Sequence, residues 1–344
     1  MSQSSFAGQA TLANGSVGDP VLYVDYPDRN NALLFDAGEN CSLPMRQLAD
    51  LQAVFITHHH MDHFCGLDRI LRANIGASKT LSLFGPQGTA QRILSRLRCY
   101  ELPQSLASQT DLELWDWDGR TRWRLQVNCG RLNIDPPVEE QPHDGALLWE
   151  NSSVAVEAAV VQHTVPCLAY ALIEKPGYFV NAEALAGGPL KPGKWISQVR
   201  DQLLRSDPAT SSDQTVRIQG LDFSIRKLAD EYFVFNPGSR VGFVTDTVWN
   251  DQVERSLLRL VGGAQRLYCD SFYAAGEVES AARHCHLRSC DAAELAVRAK
   301  VGELVLMHFA SRYQGRYPSL VAEAQAVFAN TRAEWRHPEE ALPG

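Results

Sequence analysis

Leu51-Gln-Ala-Val-Phe-Ile-Thr57 runs straight into His58-His59-His60-Met61-Asp62-His63. The first seven residues are apolar and β-rich over a strand's length, which reads as a buried strand. Beyond the histidines, Gly66-Leu-Asp-Arg-Ile70-Leu71 carries apolar residues at helical spacing. The His-x-His-x-Asp-His run therefore lies on a strand-to-helix loop. Four of the chain's ten histidines fall in this run, a concentration that a merely solvated loop does not need. In extended backbone alternate side chains share a face. His58 and His60 can thus grip one cation, while Asp62 and His63, on the turn into the helix, reach a second; His59 points the opposite way.

Further donors close other apolar runs. Val154-Ala-Val156-Glu-Ala158-Ala-Val160-Val161 alternates like a half-buried strand and leads to His163. Val241-Gly-Phe243-Val244-Thr245 ends at Asp246, and Glu303-Leu-Val-Leu-Met307 ends at His308. Strand ends converge on one rim in open α/β folds. His58, His60 and His163 can hold one ion and Asp62, His63 and His308 a second, with Asp246 bridging. A lone histidine at a strand end is more often a core residue; three donors that each close a strand are harder to explain that way.

This order of ligands, with Leu34-Phe35-Asp36-Ala-Gly38-Glu39 upstream, resembles the metallo-β-lactamase superfamily. The resemblance implies an α/β fold, the four-layer αβ/βα sandwich. Within it, His286-Leu-Arg-Ser289, Ala292-Ala-Glu-Leu-Ala, Leu306-Met-His308-Phe-Ala-Ser311-Arg312-Tyr313 and the stretch His163-Thr-Val-Pro-Cys-Leu-Ala-Tyr170 are similar to ribonuclease Z. Residues 12–75, 154–182 and 240–330 carry the match. The chain departs from that family where Cys269-Asp270 replaces a His-Glu pair. It departs again where Asn14-Gly15-Ser-Val-Gly18-Asp-Pro20 replaces a Gly-Thr-Gly loop, at Ala169 for Gly and at Ala310 for Ser.

A chain of 344 residues with 45% hydrophobic content can bury a large core. One domain over 1–344 is expected, since candidate ligands spread from 58 to 308 would be divided by any cut into halves. Two inserted segments are expected, at about 110–150 and 187–231. Residues 111–150 hold nine acidic and four basic residues and four tryptophans, whose expected role is packing rather than base stacking. Residues 188–205 hold four basic residues against Asp201. The family resemblance implies a tRNA-gripping arm there, with Lys191 and Lys194 as phosphate contacts; a solvated loop packed by Trp195 is the competing expectation. Helices are expected over 87–99, 252–261, 291–300 with Asp291 starting the cap, and 318–329, with a frayed tail from His337.

A net charge of −8 argues neither for a nucleic-acid coat nor for a membrane surface. The start, Met1-Ser-Gln-Ser-Ser-Phe-Ala-Gly, lacks the pattern of a signal peptide, no run is long enough to span a bilayer, and a cytoplasmic location is expected. Eight cysteines without Cys-x-x-Cys pairs point to reduced thiols. Cys65 and Cys167, near candidate ligands, read as small buried residues.

Imidazoles and carboxylates without a thiolate favour two Zn²⁺ ions, with Mn²⁺ or Fe²⁺ also accepted by such sites. Two cations about 3.5–4 Å apart could activate a shared water for in-line displacement at phosphorus. Asp62 is then both ligand and proton acceptor, and the family resemblance implies that His286 faces the scissile phosphate, with Asp270 orienting it. Ser311 and Arg312 are further substrate contacts by the same resemblance. The expectation is a dinuclear phosphodiester hydrolase acting on a tRNA precursor. Two alternatives compete: a small-molecule phosphodiesterase or other hydrolase on the same core, and a non-catalytic metal-binding scaffold. Dimerisation is implied by the family resemblance alone.

Overall fold

Strand-forming runs build two sheets, seen in a computed structural model that describes residues 8–26, 31–132, 138–205 and 214–342. The first sheet holds β1 (Gln9–Leu12), β2 (Leu22–Tyr26), β3 (Asn31–Phe35), β4 (Leu51–Phe55), β5 (Thr80–Pro86), β6 (Asp111–Trp117), β7 (Thr121–Asn128) and β8 (Val138–Pro142) in sequence order. Its centre, β3 to β6, is parallel, and its flanks are antiparallel. The chain continues through β9 (Leu147–Glu150), β10 (Val154–Gln162) and β11 (Pro166–Glu174), then β12 (Gly177–Val180), β13 (Thr215–Ile218), β14 (Leu221–Ser224) and β15 (Phe233–Asn236). It ends with β16 (Ser239–Val244), β17 (Arg266–Asp270), β18 (Glu303–Met307) and β19 (Thr331–Ala333). The second sheet runs β19-β18-β17-β16-β11-β10-β9, with β16 to β19 parallel.

Each sheet buries one face under helices and the other against its partner. Helices Leu67–Asn74 and Thr89–Leu97 press Ile70, Leu71, Ile93 and Leu97 onto Leu34, Val54, Leu83 and Leu114 of the first sheet. Helices Asp251–Val261, Ser289–Arg298 and Tyr317–Gln325 place Leu257, Val261, Leu295 and Leu320 on the second. Between the sheets, Phe35 meets Tyr170 and Phe243 at ring separations of 6.0 and 5.8 Å, and Phe55 meets Tyr170 at 5.6 Å. Helix, sheet, sheet and helix make the four layers of the metallo-β-lactamase fold expected from the sequence.

The acidic stretch 111–150 forms strands of these sheets. Register aligns Phe35, Phe55, Phe84, Trp115, Arg124 and Glu139 in one row across six strands. Trp115 stacks on Phe84, Arg122 and Arg124 lie over its indole at 4.5 and 5.3 Å, and Arg124 pairs with Glu113 at 2.5 Å. The tryptophans therefore pack, and opposite charges meet across strands. The Pro-rich centre of this stretch, 133–137, lies outside the described residues.

The chain divides into two compact units. All candidate metal ligands fall in the larger, 8–150 with 155–172 and 240–344. Residues 187–231, expected as an insertion, fall in the smaller, where 206–213 lie outside the described residues. There β12 pairs with β15, β13 pairs with β14, and helices Trp195–Arg205 and Ile225–Tyr232 bury Trp195, Val199, Leu203, Leu228 and Tyr232 together. Residues 188–205 thus end in a core-forming helix instead of the loop that was one expectation.

Two local expectations are corrected. The helix expected from Asp291 begins at Ser289: Arg288 is its N-cap and Asp291 sits at the third helical position, accepting from the Arg288 backbone N–H at 3.0 Å. The tail beyond His337 forms a 3-10 turn, Pro338–Ala341, with the Glu340 carboxylate accepting from the Arg336 N–H at 2.9 Å.

Candidate metal centre

β4 ends at a pinned loop. Thr57 donates from its backbone N–H to Asp36 Oδ1 (2.6 Å) and from its hydroxyl to Asp36 Oδ2 (2.8 Å), and His63 Nδ1 donates to the same Oδ2 at 2.7 Å. Asp36 is fully buried and adopts a left-handed backbone, φ 60°, which Asp tolerates better than most residues. His60 stands at the N-cap position of the short helix Met61–Phe64, which carries Asp62 and His63, without a side-chain capping bond. Two glycines let the loops close: a Cβ on Gly38 would strike the Asp62 carbonyl, and one on Gly66 would strike the Gly38 carbonyl. His59 turns away, as expected, to Thr89 Oγ1 at 2.7 Å, where burial lowers its pKa to about 4.

The second sheet supplies its donors singly. His163 follows β10, Asp246 follows β16, and His308 follows β18 with φ 61°. His60 Nδ1 lies 3.0 Å from His58 Nε2 and 3.2 Å from His163 Nε2. Asp246 Oδ2 stands 3.6 Å from His58 Nε2, 3.6 Å from His163 Nε2 and 3.5 Å from His63 Nε2. Asp62 Oδ2 lies 3.3 Å from His308 Nε2 and 3.6 Å from His63 Nε2. The structure therefore gathers His58, His60, His163 and Asp246 in one set and Asp62, His63 and His308 in another, donor atoms within 4.8 Å in each.

These residues fit divalent ions. Nitrogen or oxygen donors at 2.0–2.1 Å from one tetrahedral ion lie about 3.3–3.4 Å apart, in the middle of the separations above. Three rings are also set to offer Nε2. His63 Nδ1 is held by Asp36, His163 Nδ1 donates to the Cys285 carbonyl at 3.0 Å, and His58 Nδ1 lies 3.1 Å from Thr57 Oγ1. Such outer partners orient metal-binding imidazoles. Among the described residues the buried His63 Nε2 has no hydrogen-bond partner, a need that a cation would satisfy.

Electrostatics point the same way. Burial opposes charge on Asp246, but His308 and His63 hold its pKa well below the ordinary range, and His308 then His63 do the same for Asp62. Burial opposes charge on His63 as well, yet Asp246 and Asp36 carry its pKa to about 10. His58, desolvated and beside His63, is driven far down. Buried carboxylates need compensating positive charge, which protons or cations can supply.

His286 stands on the rim of this cluster. Its Nδ1 lies 3.2 Å from Asp270 Oδ2, which also accepts from the Leu287 N–H at 3.0 Å, and its Nε2 lies 3.8 Å from Asp246 Oδ2. Arg312 reaches Glu277 at 2.5 Å and lies over the Tyr273 ring at 4.6 Å, while Ser311 is exposed. Lys191 and Lys194 are exposed residues of the smaller unit. Of the thiols, Cys167 is buried as expected, whereas Cys65 is exposed, its Sγ 3.6 Å from Asp19 Oδ2.

Asp36, Thr57 and Ser16 all lie in quoted stretches of the sequence, where none of them shows its role. The Ser16 backbone carbonyl accepts from the Phe309 N–H at 3.0 Å and its hydroxyl donates to the Leu306 carbonyl at 2.5 Å, fastening the backbone around His308. The Leu-Phe-Asp-x-Gly context was the available signal for Asp36. Ser16 offers none, since its partners lie about 290 positions away.

Comparison with known proteins adds to this geometry. The Beta-lactamase superfamily domain matches residues 27–161. The chain is 31% identical to a ribonuclease Z of a Synechococcus species over 89% of this chain and 86% of that one. It is 29% identical to ribonuclease Z of Deinococcus radiodurans, covering 87% and 89%. Among solved structures, a metallo-β-lactamase fold protein from Bacillus subtilis superposes with a TM-score of 0.54 at 14% identity, covering 94% of this chain and 93% of that one, a likeness of fold.

Proposed function

Because the chain belongs to the ribonuclease Z family, metal-dependent hydrolases of the metallo-β-lactamase superfamily, we propose that it holds two divalent ions and cleaves the 3′ end of precursor tRNA. The gathering of seven donors into two sets, with His58, His63 and His163 all 3.5–3.6 Å from Asp246 Oδ2, carries this reading. His58, His60 and His163 would hold one ion, Asp62, His63 and His308 the other, and Asp246 would bridge them. Zinc suits nitrogen and oxygen donors of this kind, and manganese or iron(II) would also bind. Bound there, the pair supplies Lewis acidity and acidifies a water toward neutral pH.

The chain's own residues do the rest. Asp62, the half-exposed carboxylate of the cluster, accepts a proton on its outer oxygen. Asp270 holds Nδ1 of His286, so Nε2 is the atom that faces the phosphorus and hands a proton to the leaving oxygen. Lys191 and Lys194 would contact RNA phosphates from an inserted segment of a single catalytic domain, and Ser311 and Arg312 would do so near the site. The enzyme would act in the cytoplasm, as a homodimer in keeping with the family resemblance. No helix among the described residues is long and apolar enough to cross a membrane.

A small phosphodiester is the second reading, favoured by the pairing of Arg312 with Glu277, which occupies a candidate phosphate contact. Purified protein should cut both a 3′-extended tRNA precursor and bis(p-nitrophenyl) phosphate. Cleavage of the small ester alone would end the tRNA proposal.

A further inference from the structure

The two donor sets leave three buried atoms over. Asp246 Oδ1, Asp270 Oδ1 and His308 Nδ1 are each shielded from solvent and have no hydrogen-bond partner among the described residues. They face one another: His308 Nδ1 lies 2.9 Å from Asp246 Oδ1 and 3.5 Å from Asp270 Oδ1. Burying an unpaired donor beside unpaired acceptors is costly, so this arrangement calls for a proton or a cation between them.

The other rings decide which. His58, His63 and His163 present Nε2 to the ion cluster and place Nδ1 against an oxygen, in Thr57, Asp36 and the Cys285 carbonyl. His308 presents Nε2 to Asp62 Oδ2 in the same manner. A neutral imidazole that gives Nε2 to an ion carries its proton on Nδ1. In His308 the Nδ1 edge lies beside two carboxylate oxygens, 2.9 Å from Asp246 Oδ1 and 3.5 Å from Asp270 Oδ1. A third cation among Asp246, Asp270, His286 and His308 would instead need both nitrogens of His308, and so its deprotonation to imidazolate.

We infer that Asp270 is a positioning residue for two histidines at once: Oδ2 holds His286, and Oδ1 shares the Nδ1 proton of His308 with Asp246 Oδ1. This rests on the dinuclear reading above and adds that the residue orienting the proton donor also sets the affinity of the second ion.

The fold makes this reach natural. β17 and β18 pair in parallel with Asp270 opposite Met307, one residue before His308, and the Ser271 N–H donates to the Met307 carbonyl at 3.0 Å. A short aspartate stem placed there meets its immediate neighbours. Phe272 closes the remaining side, stacked on His286 at 4.2 Å and edge-on to His308 at 5.1 Å. Hydrogen bonds shielded in this way are strengthened, which lets one carboxylate hold two rings.

The test titrates Zn²⁺ into metal-free full-length protein by calorimetry, with ion counts per chain. Asp270→Asn keeps the shape and an acceptor for the Leu287 N–H, and should weaken the second ion by about 10- to 100-fold while the first is unchanged. His286→Ala should keep both affinities and lose turnover. Unchanged affinity for both ions in Asp270→Asn overturns the inference alone, as do three ions in wild type; fewer than two ions in wild type overturns the dinuclear reading beneath it. A second measurement needs no variant: a long-range ¹H–¹⁵N spectrum of zinc-loaded wild type should show Nδ1 of His308 protonated, and an unprotonated Nδ1 overturns the inference.

Discussion

The two sheets deliver donors to the same place by different means. The first uses one loop, 58–63, pinned from behind by Asp36 and Thr57 and seated by the close approaches at Gly38 and Gly66. The second uses one residue from each of three strand ends, His163, Asp246 and His308, whose order depends on the packing of the whole sheet. Local support thus preorganises half of the cluster and tertiary structure assembles the other half. Each donor set draws on both sheets, so bound ions would clamp the sandwich at the rim where its strands end.

The largest test of that division is Asp246→Ala, which removes the carboxylate that stands 3.6 Å from His58 and His163 of the first set and 3.5 Å from His63 of the second. Turnover should fall to the background rate and the ion count should drop; retention of both ions would show that Asp246 does not bridge the two sets. His286→Ala comes next: turnover should fall about 10²- to 10⁴-fold with both ions kept, as expected for a lost proton donor. Loss of an ion in that variant would move His286 into the second sheet's ligand set.

Chelation sharpens the clamp idea. Ions present at 100 times their dissociation constant should each stabilise the fold by about 2.7 kcal/mol, read as a fall in Tm on treatment with a chelator. An unchanged Tm would mean that the two sheets need no bridge. Asp36→Asn tests the first sheet's support, and should weaken the ion held by His63 about 10- to 100-fold while sparing the other. The smallest effect is expected from Gly38→Ala, whose added Cβ meets the Asp62 carbonyl and should cost about 1–3 kcal/mol in denaturant unfolding.

The same contrast governs what could be read from the sequence. Donors crowded after one apolar strand announce themselves, and His163, Asp246 and His308 were legible because each closes its own strand. Asp36 was quoted but its role was hidden, because its function lies in a left-handed backbone and a partner 27 positions away. The 111–150 stretch looked like an acidic addition because composition does not show register; across strands its charges meet as Arg124 with Glu113 and Glu139. Helix Trp195–Arg205 was obscured by the Gly- and Pro-rich start that precedes it, although Trp195, Val199 and Leu203 fall at helical spacing. The helix at Ser289 was placed two residues late because its cap is an arginine, a residue that carries no capping signal.

X-ray absorption of the zinc-reconstituted protein, with the metal counted per chain, tests the joining of the two sheets most directly. Two ions with nitrogen and oxygen neighbours and a zinc–zinc vector of about 3.5–4 Å are expected. A single ion, or two ions without that short vector, would contradict the convergence of both sheets on one dinuclear centre.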